Sequence, residues 1–404
     1  MRNAAITSKS LSTNSSPATD SDIGMTCPWP LPAKGIDVLL LLTVTAMVIF
    51  GLLMVYSASF IYAQERTGDG FAFIKKQLVF SVLGFGALVA ACRLNYRKWY
   101  DWAYPVVIGA TLLLVLVLVP GVGARVGGAQ RWLRLGPMNF QPGELAKFAL
   151  IFFVSRQLSV KQELLQKFIP GLLSNFLVPL PGLILLLCQP DFGTTVMITV
   201  VIFSLMFLAG MPKRFMVAML LAGGTIASWL ALGTPYRRQR LMTFLDPWRD
   251  PTGKGFQIIQ SLLGLNNGSF WGVGLGNGKE KLFYLPEAHN DFIFAVIGEE
   301  LGFIGVAAVV VAFSYFIYRG LCIAWTCKEK YDDRFGMFLA TGITLALGLQ
   351  AFVNMSVVLG LVPTKGLTLP FISYGGSALM IDLFAVGVLL SVARGPTVEP
   401  WTHK

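Results

Sequence analysis

The stretch LPEAHNDFIFAVIGEELG, Leu285–Gly302, decides how the rest of the chain is read. It leads into FIGVAAVVVAFSYFIY, Phe303–Tyr318, which contains no charged residue. Taken with the residues before it, from about 290, the run is long enough to cross a bilayer as a helix. Yet Glu287, His289 and Asp291 stand at its mouth, and Glu299 and Glu300 lie further in. An ionised side chain at membrane depth costs roughly 2.5–3.5 kcal/mol on insertion scales, so these groups call for a reason.

The composition places the whole chain in the membrane. Of 404 residues, 55% are hydrophobic and only 13% charged. Apolar runs recur without strand-like alternation, which argues for helices rather than a barrel. The expected fold is an all-α polytopic membrane protein with about ten transmembrane helices, near 36–56, 72–92, 103–120, 143–158, 171–188, 193–210, 215–233, 290–318, 336–360 and 371–393. Residues 1–33, rich in Ser, Thr, Asn and Pro, read as a disordered cytoplasmic tail. Residues 34–394 form one transmembrane domain, with a large extracytoplasmic loop at about 234–289, and 395–404 form a second cytoplasmic tail. The net charge of +11 fits basic loops facing anionic lipid, not nucleic acid.

Orientation follows the basic residues of the short loops. Arg93, Arg97 and Lys98, then Arg156, Lys161 and Lys167, then Lys213 and Arg214, then Arg319, Lys328, Lys330 and Arg334 fall on one side, taken as cytoplasmic. Two outer loops are basic without a topological need. One carries Arg125, Arg131 and Arg134, the other Arg237, Arg238, Arg240, Arg249, Lys254, Lys279 and Lys281. An anionic ligand on the outer face explains them, as does a loop long enough to escape the topology rule.

The polar motifs gather on that outer face. In RWLRLGPMNFQPGELAKF, Arg131–Phe148, Glu144 and Lys147 are three apart on one helical face, either as an internal ion pair or as part of a polar site. In QPDFG, Gln189–Gly193, Asp191 reads as a helix cap. Arg237, Arg238 and Arg240 have the guanidinium fork that suits phosphate oxygens. GVGLGNG, Gly272–Gly278, lacks the strand and helix of a dinucleotide site and reads as a sharply turning loop. Asp291 begins the eighth span, as a cap or as a general base. PTKGLTLPFISYGGSALM, Pro363–Met380, puts Lys365 beside a helix start at Ser373–Ser377, an arrangement that suits an anion. Asp382 lies deeper, with no role assigned.

Taken together, from MVYSAS, Met54–Ser59, to SYGGSAL, these stretches resemble the SEDS family of shape, elongation, division and sporulation proteins, closer to its division than its elongation branch. Gly143 and Asn290 are mild departures, where Ser or Ala and Thr would be expected. The resemblance implies a peptidoglycan glycosyltransferase that polymerises lipid II, with Asp291 as catalytic base. It implies substrate contacts from Arg131, Gln141, Glu144, Lys147, Arg237, Arg240, Glu287, His289, Lys365 and Ser373. It also implies no organic cofactor, and charge stabilisation with or without a divalent cation, Mg2+ or Mn2+. The implied partners are lipid II, an undecaprenyl-linked glycan strand, a class B penicillin-binding protein against the eighth or ninth span, and other division membrane proteins. The implied place is the bacterial inner membrane at the septum, with both termini cytoplasmic. The rival functions are a lipid II flippase, which would use midplane charges such as Asp382, and a noncatalytic division scaffold.

Overall fold

The structure is a computed structural model. The chain divides into Met1–Pro30 and Leu31–Lys404, and the description concerns the second unit. It covers residues 35–126, 129–135, 138–233, 242–251, 253, 255–281, 285 and 288–395. The two predicted tails thus lie almost wholly outside the described residues, as do Arg237, Arg240 and Glu287.

Twelve α-helices of the described residues carry the fold. They are α1 Val38–Thr67, α2 Ala72–Arg93, α3 Lys98–Leu118, α4 Pro142–Val160, α5 Phe168–Phe176, α6 Pro179–Cys188, α7 Phe192–Leu208, α8 Lys213–Leu232, α9 Phe256–Gly268, α10 Ile293–Tyr331, α11 Arg334–Val358 and α12 Gly376–Ala393. By length and apolarity alone α1, α2, α3, α10, α11 and α12 can each cross a membrane. The pair α5–α6, bent by 62°, is long and apolar enough when its two helices are taken together. The remaining three are α4, which carries Glu144, Lys147 and Arg156, the shorter apolar α7, and α8. Together these segments follow the ten predicted spans. The surface agrees, since Leu42, Ile49, Val82, Leu112, Leu221 and Val311 are exposed on the bundle as lipid-facing residues are.

The fold is mostly helical rather than all-α. The loop between α3 and α4 folds into an antiparallel sheet of β1 Gly123–Val126, β2 Ala129–Leu135 and β3 Met138–Phe140, in that order. Short strands broken by glycine carry little hydropathy signal, so only basic character was visible there.

Contacts at one end of the bundle define a common face. Asp37 caps α1 and accepts from Arg319 Nε at 2.7 Å. Tyr96, just past α2, donates to Asp333, the cap of α11. Ser391, near the end of α12, donates to Leu94 C=O. The start of α1 and the ends of α2, α10 and α12 therefore lie together, as an even number of crossings requires.

At the other end the long loop folds back into the bundle. Helix α9 buries Ile258, Ile259, Ser261, Gly264 and Gly268, and Ser261 donates to Val358 C=O at the end of α11. The glycine-rich stretch after α9 then docks on α10, where Gly302 breaks the helix at φ 66°, ψ −161°. The open backbone groups are taken up by that stretch. Val273 N–H donates to Glu299 C=O and Gly274 N–H to Glu300 C=O, both at 3.0 Å, while Phe303 N–H donates to Ser269 C=O. Irregular backbone at membrane depth is tolerated where protein satisfies it in this way.

Gly302 combines a left-handed φ with close approach, since a Cβ there would lie 2.4 Å from Gly272 N. Gly302→Ala is therefore expected to destabilise the protein by at least about 1–3 kcal/mol. Gly86→Ala in α2, where a Cβ meets nothing within 4 Å, should be neutral. Thermal midpoints of the two purified variants in detergent compare them directly.

Candidate functional site

The Asp291 carboxylate lies in a turn, not in a helix cap. Asp37, Asp191 and Asp333 each cap a helix by accepting a backbone N–H. At α10 the cap position falls to Phe292, with no side-chain cap bond. Asp291 sits one residue earlier and is half-buried. A Cβ built on Gly366 would come within 3.1 Å of its Oδ2, so the carboxylate faces the Pro363–Thr368 loop. Two residues before it, His289 is buried among Phe73, Tyr62 and Tyr374, with ring centroids 4.8, 5.4 and 5.7 Å away. Tyr374 N–H donates to His289 C=O at 2.9 Å.

Lys365, next to Gly366, packs its stem over the start of α7. Its ammonium lies 5.6 Å from the Phe192 ring centroid, and a Cβ on Gly193 would sit 3.5 Å from its Cδ. Burial pushes the Lys365 ammonium below the ordinary lysine range. Arg131, from β2, reaches the turn that precedes the same helix. It donates to Gln189 and Pro190 carbonyls and lies 3.8 Å from Asp191. The start of α7 thus meets Lys365, and the turn just before it holds Arg131.

Beneath lies a charged cluster. Lys147 Nζ, fully buried, is 2.7 Å from Glu144 Oε2, 2.7 Å from Gln350 Oε1 and 3.3 Å from Asp382 Oδ1. Asp382 thus has a place, opposite Lys147. Gln141 caps α4 through its backbone and takes the Ser377 hydroxyl as acceptor for its N–H. Ser373 is spent within its own loop, its Oγ accepting from Leu369 N–H at 2.8 Å. Gly143 tolerates a Cβ, with its nearest neighbour 3.4 Å away, so the Ser or Ala expected there would fit.

Glu299 accepts from Lys279 and Glu280 N–H, and Glu300 from Ser57 Oγ and Lys281 Nζ. Both glutamates fasten the outer loop to α10 rather than facing the Asp291 turn.

Sequence reasoning passed over two carboxamides on α11. Gln350 Nε2 donates to Thr368 C=O at 3.0 Å. Asn354 Nδ2 donates both to Asp291 C=O at 2.8 Å and to Leu367 C=O at 2.6 Å. Their signal was two amides four apart inside an otherwise apolar span, which marks one helical face.

Removing Lys147 alone would leave Glu144 and Asp382 facing each other without a cation, a loss of about 3–5 kcal/mol for a broken buried pair. Lys147→Met should therefore lower the thermal midpoint and yield more than the triple variant with Glu144→Leu and Asp382→Leu, in which no charge is stranded.

Comparison with known proteins bears on the family and the fold. A family model described as "Cell cycle protein", covering FtsW, RodA and SpoVE, matches residues 37–397. The chain is 47% identical over 357 residues to a protein of Geobacter sulfurreducens named probable peptidoglycan glycosyltransferase FtsW, covering 88% of this chain and 95% of that one. It is 44% identical to the protein of the same name from Halorhodospira halophila, covering 88% and 90%. Among solved structures, one from work on "Structural coordination of polymerization and crosslinking by a peptidoglycan synthase complex" superposes with a TM-score of 0.73 at 32% identity, covering 89% of this chain and 98% of that one. The Thermus thermophilus rod shape determining protein RodA superposes with a TM-score of 0.65 at 28% identity, covering 90% and 99%. With its bundle of apolar helices, the acidic turn at Asp291 and a match over nearly its whole length, the chain belongs to the SEDS family of cell cycle proteins.

Proposed function

We propose that this chain is the peptidoglycan glycosyltransferase of cell division, polymerising lipid II into β-1,4-linked glycan, and that Asp291 is its catalytic base. The observation that carries the residue assignment is the meeting of the Asp291 carboxylate with the Lys365–Gly366 loop on one face of the molecule. A base and a cation there suit the two ends of one displacement.

In the reaction, Asp291 takes the proton of the GlcNAc 4-hydroxyl of the acceptor lipid II. The freed oxygen attacks MurNAc C1 of the lipid-linked donor strand. The bond from C1 to the pyrophosphate oxygen breaks, its electron pair leaves with undecaprenyl pyrophosphate, and C1 inverts. Lys365 supplies positive charge toward the leaving pyrophosphate, where preorganised charge acts on the transition state. Arg131 supports this from the Gln189–Asp191 turn, and Arg237 and Arg240 are further candidates in the outer loop. His289 lines the acceptor side with its aromatic neighbours. Glu144 and Lys147 serve from beneath, bound to each other rather than to substrate. Among the described residues no three acidic, histidine or cysteine side chains gather to hold a metal. A Mg2+ or Mn2+ ion would therefore rest mainly on the pyrophosphate's own oxygens, as Mg2+ commonly does, and would neutralise charge on the leaving group.

Asp382, the midplane charge that a flippase could use, is engaged with Lys147. The partner in this reading is a class B penicillin-binding protein, and the solved relative from a peptidoglycan synthase complex supports it. Exposed Phe303, Val311 and Phe352 of α10 and α11 offer it an apolar face. The relatives named FtsW support a place at the septum, among other division proteins.

The test is polymerisation of lipid II by the purified protein with its cognate transpeptidase, whose acylation site is blocked. Glycan strands from wild type, and a loss of at least about 100-fold in folded Asp291→Asn, are expected from removal of a general base. Equal strands from both would move the base elsewhere.

Lys365 carries a second prediction. Its cation is present below its lowered pKa and is lost as pH rises through it. The kcat/KM for lipid II should therefore fall at alkaline pH, earlier than an ordinary lysine would dictate. Lys365→Arg, which keeps its charge, should move that limb to higher pH. An unmoved limb would assign the anion contact to another cation.

A further inference from the structure

We infer that Asn354, supported by Gln350, is a positioning residue that sets the Asp291 carboxylate against the Lys365–Gly366 loop. The inference rests on Asp291 being the base and goes beyond that assignment.

Helix α11 presents the two carboxamides one turn apart. Gln350 and Asn354 hold consecutive carbonyls of the outer loop, those of Thr368 and Leu367. With its second hydrogen, Asn354 also holds the carbonyl of Asp291. One buried amide therefore spans the two segments that must stay in register for base and cation to face one substrate. Gln350 links this rail to the charged cluster, since its Oε1 accepts from Lys147. The path runs without interruption from Glu144, Lys147 and Asp382 through α11 to the backbone of Asp291.

The cost of this device points the same way. Asn354 is 1% exposed, and its own Oδ1 has no hydrogen-bond partner among the described residues. A buried acceptor left unpaired is unfavourable, whereas an apolar residue would carry no such oxygen. A residue selected only for packing would not be an asparagine. The two donors account for its presence, because both reach backbone carbonyls flanking the site.

The second support is Gly366. It is exposed, yet a methyl there would come within 3.1 Å of Asp291 Oδ2. Asn354 thus holds the backbone from which the carboxylate springs, while the carboxylate itself abuts Gly366 of the loop. Misplacement of a reacting group by about 1 Å can cost on the order of 100-fold in rate.

The test compares wild type, Asn354→Leu, Asn354→Gln, Gly366→Ala and Asp291→Asn in the lipid II polymerisation assay, each checked for an unchanged thermal midpoint. Asn354→Leu keeps the size and removes both donors. Its kcat should fall by about 10–100-fold, with KM within about twofold of wild type. Asn354→Gln, which restores the donors, should recover part of the loss. Gly366→Ala should also lose kcat, because its methyl would crowd the carboxylate at 3.1 Å. A folded Asn354→Leu protein with wild-type kcat, beside an inactive Asp291→Asn, overturns the positioning role and leaves the base assignment standing. A change confined to KM overturns it as well, since it would make Asn354 a binding residue. Should Asn354→Leu fail to fold, Gly366→Ala decides, and wild-type kcat there overturns the inference. An Asp291→Asn protein as active as wild type instead removes the base reading itself.

Discussion

Inside a bilayer no water is available to a backbone amide, a carbonyl or a charge, and each must find its partner in the protein. The structure is largely organised by that constraint. Where α10 breaks at Gly302, the loop after α9 lends its own N–H and C=O groups to the gap. Where an ammonium is buried, two carboxylates and an amide surround it. Glu299 and Glu300, which alone would be prohibitive, take backbone amides of the outer loop and the Ser57 and Lys281 side chains. The described titratable groups of Leu285–Gly302 therefore differ in their tasks. The deeper glutamates fasten the loop, His289 packs among aromatic rings, and Asp291 stands at the turn that meets a second loop.

The same constraint shapes the loop opposite Asp291. The segment after α11 cannot run as helix through Pro363 and Gly366, so its carbonyls need donors. Gln350, Asn354 and, from α2, Gln77 supply them, the last to Ser373 C=O at 3.2 Å. Gly51 of α1 makes room, since a Cβ there would lie 2.6 Å from Ile372 Cα. Phe371, buried and bulky, is held at φ 66°, a conformation such residues rarely adopt. Three helices thus fix a stretch of irregular backbone that would otherwise have no business at this depth, and Lys365 is carried at its entrance.

The transmembrane segments were legible because apolar length is a strong and local signal. The charged positions Glu144, Lys147 and Asp291 were legible because charge in such surroundings is rare. What the charges touch was not legible. Asp382 had no visible role until α4 and α12 were seen side by side. Arg131 looked like a phosphate ligand from its loop, whereas its reach to the Gln189–Asp191 turn depends on a sheet that hydropathy does not register. Asn354 and Gln350 passed as ordinary polar residues because an amide in an apolar span acquires meaning only from the carbonyls it meets. Those carbonyls belong to other segments and carry no side-chain identity at all.

The buried cluster also bears on the order in which the chain can be completed. Lys147 and Asp382 are 235 residues apart in sequence, and Asp382 lies in the last helix. During synthesis α4 enters the membrane with only Glu144, one turn away, to accompany its lysine. The docking of the glycine loop on α10, by contrast, joins neighbouring parts of the chain and is available as soon as α10 is made. The outer loop is thus secured early, while the central ion cluster closes only when the ribosome has released its final span. A chain lacking α12 would keep Lys147 without its second carboxylate.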